Sequence, residues 1–136
     1  MKTENVLIDA NMAIKVADFG IALLVAKDED GKKCEHKIKG TRGWMAPEAA
    51  EKNILTSKSD VYGCGLVMFH VCTIVQRVEK TKPYHTEEWA IRNEFKLTGN
   101  KFNVDDLPIT HAYRQDLKDL IAEMLDPDWT KRPSAA

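Results

Sequence analysis

No apolar run in these 136 residues approaches the roughly 20 that a membrane-spanning helix needs. Charge of one sign is not in excess either. Twenty Lys and Arg stand against 21 Asp and Glu, a formal net charge of -1, which gives no global pull toward nucleic acid or an anionic membrane. Cysteine is scarce: Cys34, Cys64 and Cys72 are odd in number and lack Cys-x-x-Cys spacing, so neither a zinc site nor a disulfide framework is indicated. Reduced, intracellular thiols are the expectation. The four histidines are scattered without ligand spacing. Internal repeats and low-complexity tracts are missing, and the stretch from Met1 is too polar for a signal peptide. Between Gly20 and Gly40 there is no Ser, Thr or Tyr. What remains, 43% hydrophobic and 30% charged, is an ordinary globular composition with room for one core.

Val6-Leu7-Ile8 and Ala13-Ile14-Lys15-Val16 are short apolar runs separated by Asp9-Ala10-Asn11-Met12, which carries turn chemistry. They predict a small hairpin with Asn5 and Asp18 just outside its two ends. Asp28-Glu29-Asp30-Gly31-Lys32-Lys33 has no period and reads as an exposed loop. A short helix is expected after Pro47. From Ser57 to Val75 the chain is nearly continuously apolar, which predicts a helix buried on all sides at the centre of the core. Glu87 to Leu97 reads as a surface helix ending at Thr98-Gly99-Asn100. Leu117, Leu120, Ile121, Met124 and Leu125 recur at the spacing of a helix with one apolar face. Asp126-Pro127 stops that helix, and Pro133-Ser134 reads as the start of another.

Three motifs lie along this frame in a fixed order: Lys2-Thr3-Glu4-Asn5, then Asp18-Phe19-Gly20, then Gly40-Thr41-Arg42-Gly43-Trp44-Met45-Ala46-Pro47-Glu48. As a set they resemble the catalytic loop, metal-binding loop and substrate-docking segment of the eukaryotic protein kinases. The family's loop reads His-Arg-Asp-x-Lys-x-x-Asn. Lys2 and Asn5 keep the Lys-x-x-Asn interval, so the catalytic Asp would fall one residue ahead of Met1. The Gly-rich phosphate loop, the strand-three lysine and the helix-C glutamate do not occur. The resemblance therefore implies a mainly α, incomplete kinase fold: a C-terminal lobe built around a buried central helix, with a small hairpin at its N-terminal end. Its parts would be a catalytic-loop remnant over 1–8, a metal loop and activation segment over 18–48 and a helical lobe over 49–136, all within one partial domain, 1–136.

Roles follow from the same resemblance. Asp18 and Asn5 would hold Mg²⁺ across the phosphates of ATP, and Leu7 would close the underside of the nucleotide. Lys2 would steady the transferring phosphoryl group. Thr41 would pack against that lysine beside the acceptor hydroxyl, and Trp44 would shape the docking floor. Glu48 and Arg132 would form a buried pair holding the docking segment to the helical lobe. Asp60, in Asp-Val-Tyr-x-x-Gly, would be a buried carboxylate accepting N–H bonds from the catalytic loop. Lys2 with Thr41 points to Ser/Thr acceptors, whereas Trp44-Met45-Ala46-Pro47-Glu48 is similar to tyrosine kinases and the tyrosine-kinase-like Ser/Thr group.

A finer resemblance, through the Gly-Thr-x-Gly-Trp-Met-Ala-Pro-Glu stretch and Lys131-Arg132-Pro133-Ser134-Ala135, is to the dual kinase–endoribonuclease stress sensors. It implies dimerisation of a longer parent. The expected activity is ATP-dependent phosphorylation of protein substrates by that parent, on the cytosolic side even if it is membrane-anchored, with the fragment alone inactive. The alternatives are a non-catalytic kinase-like scaffold and the regulatory kinase half of a kinase–endoribonuclease. With no hydroxyl between Ile21 and Lys39, the loop is not expected to be switched by phosphate. Either Asp28, Glu29, Asp30 or Glu35 would supply fixed negative charge instead, or dimerisation, as the kinase–endoribonuclease resemblance implies, would order the loop.

Overall fold

The computed structural model describes residues 1–22, 32–34, 38–41, 43–78 and 114–135. These form three α-helices and two short antiparallel ladders. After a 3-10 turn over Thr3–Asn5, strand β1 (Val6–Ile8) pairs with β2 (Ile14–Val16) in the register Val6↔Val16, Leu7↔Lys15, Ile8↔Ile14. Asp9 makes the connection. Its carboxylate accepts the N–H groups of Asn11 and Ala13, both at 2.9 Å, as an Asp at a turn's first position does. Met12 takes a left-handed φ of 63° to complete the reversal. The apolar residues of this hairpin are not core: Leu7 is 52% and Ile14 70% exposed, with Ile8, Met12 and Val16 also open. A two-stranded ladder cannot bury its own faces.

Helix α1 (Pro47–Glu51) starts with proline at its first position, where the missing N–H would have had no intrahelical partner. It ends as Lys52 N–H meets the Glu48 carbonyl at 3.1 Å. Strand β4 (Ile54–Leu55) follows and pairs with β3 (Lys32–Lys33), in the register Lys32↔Leu55 and Lys33↔Ile54. Helix α2 (Ser57–Val78) is next. Its entry is a reciprocal cap: Ser59 N–H donates to Thr56 Oγ1 and Thr56 N–H to Ser59 Oγ, each at 3.1 Å. Two donors without helical partners are thereby satisfied.

The core gathers on α2. Leu66 and Phe69 are essentially inaccessible and pack with Trp44, Ala46, Ala49, Tyr62 and Val67, and with Ile121 and Leu125 at the end of helix α3 (Gln115–Met124). Contact between the two helices is close at Gly65. A methyl there would lie 2.9 Å from Met124 Cβ and 3.0 Å from Leu125 Cδ2, so only glycine permits this approach.

Four expectations are corrected. Asp60 is exposed, not a buried anchor: it stands in the first turn of α2, where the free N–H groups and the helix dipole favour a carboxylate open to water. Helix α2 is not buried all round, since Val71 is 53% exposed. Leu120 sits at the edge of the apolar stripe of α3 and is 40% exposed, while Ile121 and Met124 face inward. Residues 133–135 are irregular and do not open a helix. Asp28, Glu29, Asp30, Glu35, the helix expected over 87–97 and its cap at 98–100 lie outside the described residues.

Candidate active site

The hairpin brings Asn5 and Asp18 together. Ala17 N–H donates to the Asn5 carbonyl at 2.8 Å, extending the ladder by one step beyond Val6↔Val16. The next residue, Asp18, has a φ of 64°, a left-handed conformation that aspartate tolerates better than most side chains. Its Oδ1 accepts Gly20 N–H at 3.2 Å, and its Oδ2 accepts Asn5 Nδ2 at 3.4 Å. A carboxylate and a carboxamide 13 positions apart in sequence thus share one exposed point. Both are hard oxygen ligands once the amide turns its oxygen outward, the donor chemistry that suits Mg²⁺. A magnesium ion here would keep several water or phosphate ligands, because two side chains cannot fill an octahedron. Among the described residues no group of three or more His, Cys, Asp or Glu is arranged to hold a metal.

Lys2 is half-buried and enters through its backbone, its carbonyl accepting Asn5 N–H at 3.1 Å. Thr41 is half-buried too. It opens the turn closed by Trp44 N–H on the Thr41 carbonyl at 3.1 Å, with Gly43 at a φ of 99° that glycine alone takes freely. The packing of Thr41 on Lys2 that the resemblance implies is not among the hydrogen bonds of the described residues. Trp44 points inward. It is 8% exposed and tilted against His70, with ring centroids 6.0 Å apart, so it supports the surface from beneath. Leu7 and Phe19, the latter 70% exposed, present apolar surface on the hairpin side.

The Gly40–Glu48 segment is fixed at its far end by Glu48 and Arg132. Nη1–Oε1 and Nη2–Oε2 are both 2.8 Å, a bidentate pair whose side chains are 0% and 1% exposed. Arg132 is aimed by local turns. Asp126 Oδ1 accepts Asp128 N–H at 2.8 Å, and Asp128 Oδ1 accepts Thr130 Oγ1 at 2.8 Å and Thr130 N–H at 3.1 Å. The Thr130 hydroxyl, helped by Lys131, holds the Asp128 carboxyl down to about 2. Arg132 then donates Nε to the Asp126 carbonyl at 2.7 Å and Nη1 to the Lys58 carbonyl at 3.0 Å, and lies 4.7 Å over the Tyr62 ring. On the other side Ser59 Oγ donates to Glu48 Oε1 at 2.8 Å, and Lys58 Nζ donates to the Arg132 carbonyl at 2.7 Å. Ser59, Lys58 and Tyr62 were not singled out from sequence. The Thr56-x-x-Ser59 spacing was the available signal, since it marks a helix start and fixes where the serine hydroxyl must point.

A family model described as protein kinase domain matches residues 1–136. The chain belongs to the protein kinase family. It is 33% identical over 134 residues to dual specificity protein kinase shkA of Dictyostelium discoideum, a match covering 98% of this chain and 24% of that protein. To LysM domain receptor-like kinase 3 of Arabidopsis thaliana it is 38% identical over 87 residues, covering 64% of this chain and 13% of the relative. To serine/threonine-protein kinase PBL34 of the same plant it is 39% identical over 92 residues, covering 65% and 18%. This kinase chain thus spans a quarter or less of the length of these relatives. The family generally uses ATP and Mg²⁺. No helix of the described residues is long and apolar enough to cross a membrane.

Two outcomes follow from the buried network. Arg132→Ala strands the Glu48 carboxylate with Ser59 as its remaining donor, and should cost about 3–5 kcal/mol. Glu48→Ala leaves Arg132 its carbonyl acceptors and should cost less, with the double variant little worse than Arg132→Ala alone. Denaturant melts of the three variants measure this, and strict additivity would contradict the pairing. The second outcome concerns Tyr62, whose hydroxyl is pushed up to about 12, mainly by burial, with Glu48 adding to the rise and Arg132 opposing it. An unfolded tyrosine ionises near pH 10 while the folded one keeps its proton. The contribution is therefore full below about pH 10 and is lost as pH climbs toward 12, a change of roughly 2–3 kcal/mol. Between about pH 10 and 12 the native chain should lose stability relative to Tyr62→Phe by that amount. Parallel curves would show that Tyr62 does not titrate late.

Proposed function

We propose that this chain is the C-terminal lobe of a Ser/Thr protein kinase, and that the whole protein moves the γ-phosphoryl group of ATP to Ser or Thr hydroxyls of protein substrates. In this reading residues 1–8 belong to the catalytic loop, 18–48 to the metal loop and activation segment, and 49–136 to the helical lobe. The observation that carries it is the Asn5–Asp18 pair at the mouth of the hairpin. An amide and a carboxylate 3.4 Å apart on an exposed rim serve no core, and they are the two ligand types that phosphoryl transfer requires. The fixed spacing of Lys2 to Asn5 and the Gly40–Glu48 stretch support the same assignment.

Each residue has a distinct task. Asp18 and Asn5 hold Mg²⁺, which supplies charge neutralisation between the phosphates when bound. Lys2 sets an ammonium beside the transferring group. Such fixed charges lower the barrier because they need no reorganisation as negative charge builds. Leu7 offers apolar surface to the base of the nucleotide. Thr41 lies beside the acceptor hydroxyl, and Trp44 stiffens the docking surface from below. Acceptor choice rests on Lys2 with Thr41 and agrees with the Ser/Thr relatives. Ile8, Ile14 and Val16 share one exposed face of the ladder, and that face is where the nucleotide-holding lobe of the whole protein would seat.

The test is phosphotransfer by the whole protein to a Ser/Thr-containing protein acceptor with Mg²⁺ and labelled ATP. Asp18→Ala and Asn5→Ala should bring incorporation to background, while Asp119→Ala, on the exposed face of α3, should retain it. Full activity in Asp18→Ala would sink the assignment. Partner binding with no phosphotransfer by the unsubstituted protein would instead favour the scaffold.

A further inference from the structure

Residues 21–39 contain no hydroxyl side chain, so no phosphate ester can form there to hold the segment in place. The described parts of that segment are nevertheless tied down, and the ties converge on one residue. Beside the β3–β4 ladder, Cys34 N–H donates to the Asn53 carbonyl at 3.0 Å. The Asn53 side chain bonds to two described residues as well: Nδ2 donates to the Cys34 carbonyl at 2.6 Å, and Oδ1 accepts Ile38 N–H at 2.8 Å. Turning the amide over would set oxygen against oxygen and N–H against N–H, so its orientation is determined by the bonds themselves. Asn53 has a φ of 58°. Few side chains tolerate that backbone, and asparagine is one that also carries a donor and an acceptor on a single short group.

Position gives this clamp its consequence. Asn53 directly follows the residue that closes α1, the helix that carries Glu48. It grips the chain at 34 and 38, immediately before Gly40–Glu48 begins. The segment is therefore held at its entrance by Asn53 and at its exit by Arg132.

We propose that Asn53 is the positioning residue that sets the acceptor-docking segment, holding Cys34 and Ile38 by hydrogen bonds where no phosphate can be attached. The functional half of this statement rests on the kinase reading above; the structural half does not. A carboxamide carries no net charge, so the hold is built in, indifferent to phosphatase, and little weakened by salt, unlike a phosphate–arginine pair.

The test uses Asn53→Gly, which keeps the left-handed backbone accessible while deleting both side-chain bonds. Amide hydrogen exchange on the 136-residue chain should speed up roughly 10- to 100-fold at Ile38, the loss expected for one or two modest hydrogen bonds. Leu125, whose N–H donates to the Ile121 carbonyl inside the core, should be unchanged and so report an intact fold. In the whole protein the same substitution should raise KM for the protein acceptor about tenfold, with kcat and KM for ATP unaltered. Unchanged exchange at Ile38 overturns the clamp. Faster exchange with an unchanged acceptor KM overturns its positioning role. An unsubstituted protein that transfers no phosphate defeats the kinase reading, and the exchange result then decides the clamp alone.

Discussion

Glu48 and Arg132 lie 84 positions apart in sequence and meet through two 2.8 Å bonds with almost no access to water. Burying both charges costs several kcal/mol each before any attraction is counted, so the pair persists only because every remaining donor and acceptor is also served. Ser59 donates to the carboxylate, the Asp126 and Lys58 carbonyls accept from the guanidinium, and Tyr62 covers its face. The contributors come from α1, the first turns of α2 and the loop after α3. A bidentate pair has one good geometry, whereas an apolar contact at the same place would allow sliding. Through it α1 is set against α2, and the Gly40–Glu48 segment acquires a fixed end.

The other end of the chain is built differently. Its hairpin is held by backbone bonds and the Asp9 turn, its apolar side chains are open, and the Asn5–Asp18 contact is exposed and long at 3.4 Å. A stiff helical body thus carries a lightly held rim on which the proposed chemistry resides. Ligand-binding elements are commonly drawn from the less stable parts of a fold, because they must admit and release what they bind. Asn53 stands between these two regimes. It links the described residues before the Gly40–Glu48 segment to the rigid body by neutral bonds.

Much of this arrangement is legible in the sequence where a signal has a period or a turn residue. The hairpin follows from two apolar triplets around Asp9, α1 from Pro47, and the inward face of α3 from Ile121, Met124 and Leu125. The failures share a cause, since they depend on what lies across from a residue. Leu120 has the right type for burial and Asp60 the place in a motif that the resemblance would bury, yet both are exposed, as are the apolar hairpin residues. Trp44 lies in the core beside His70, a depth that its residue type alone does not fix. Ser59, Tyr62 and Asn53 were overlooked because serine, tyrosine and asparagine carry no pattern of their own. Their importance arises from partners 11 to 70 positions away that only folding supplies.

The claim that one desolvated pair organises the helical body can be tested at the guanidinium itself. Side-chain ¹⁵N NMR of the chain distinguishes an arginine locked in bidentate bonds from one turning freely in water, and Arg114, whose side chain is 87% exposed, serves as an internal reference. Arg132 should give separate, slowly exchanging Nη–H resonances with hindered rotation about its Nε–Cζ bond. A single averaged Nη signal from Arg132, exchanging with water as fast as that of Arg114, would contradict the account.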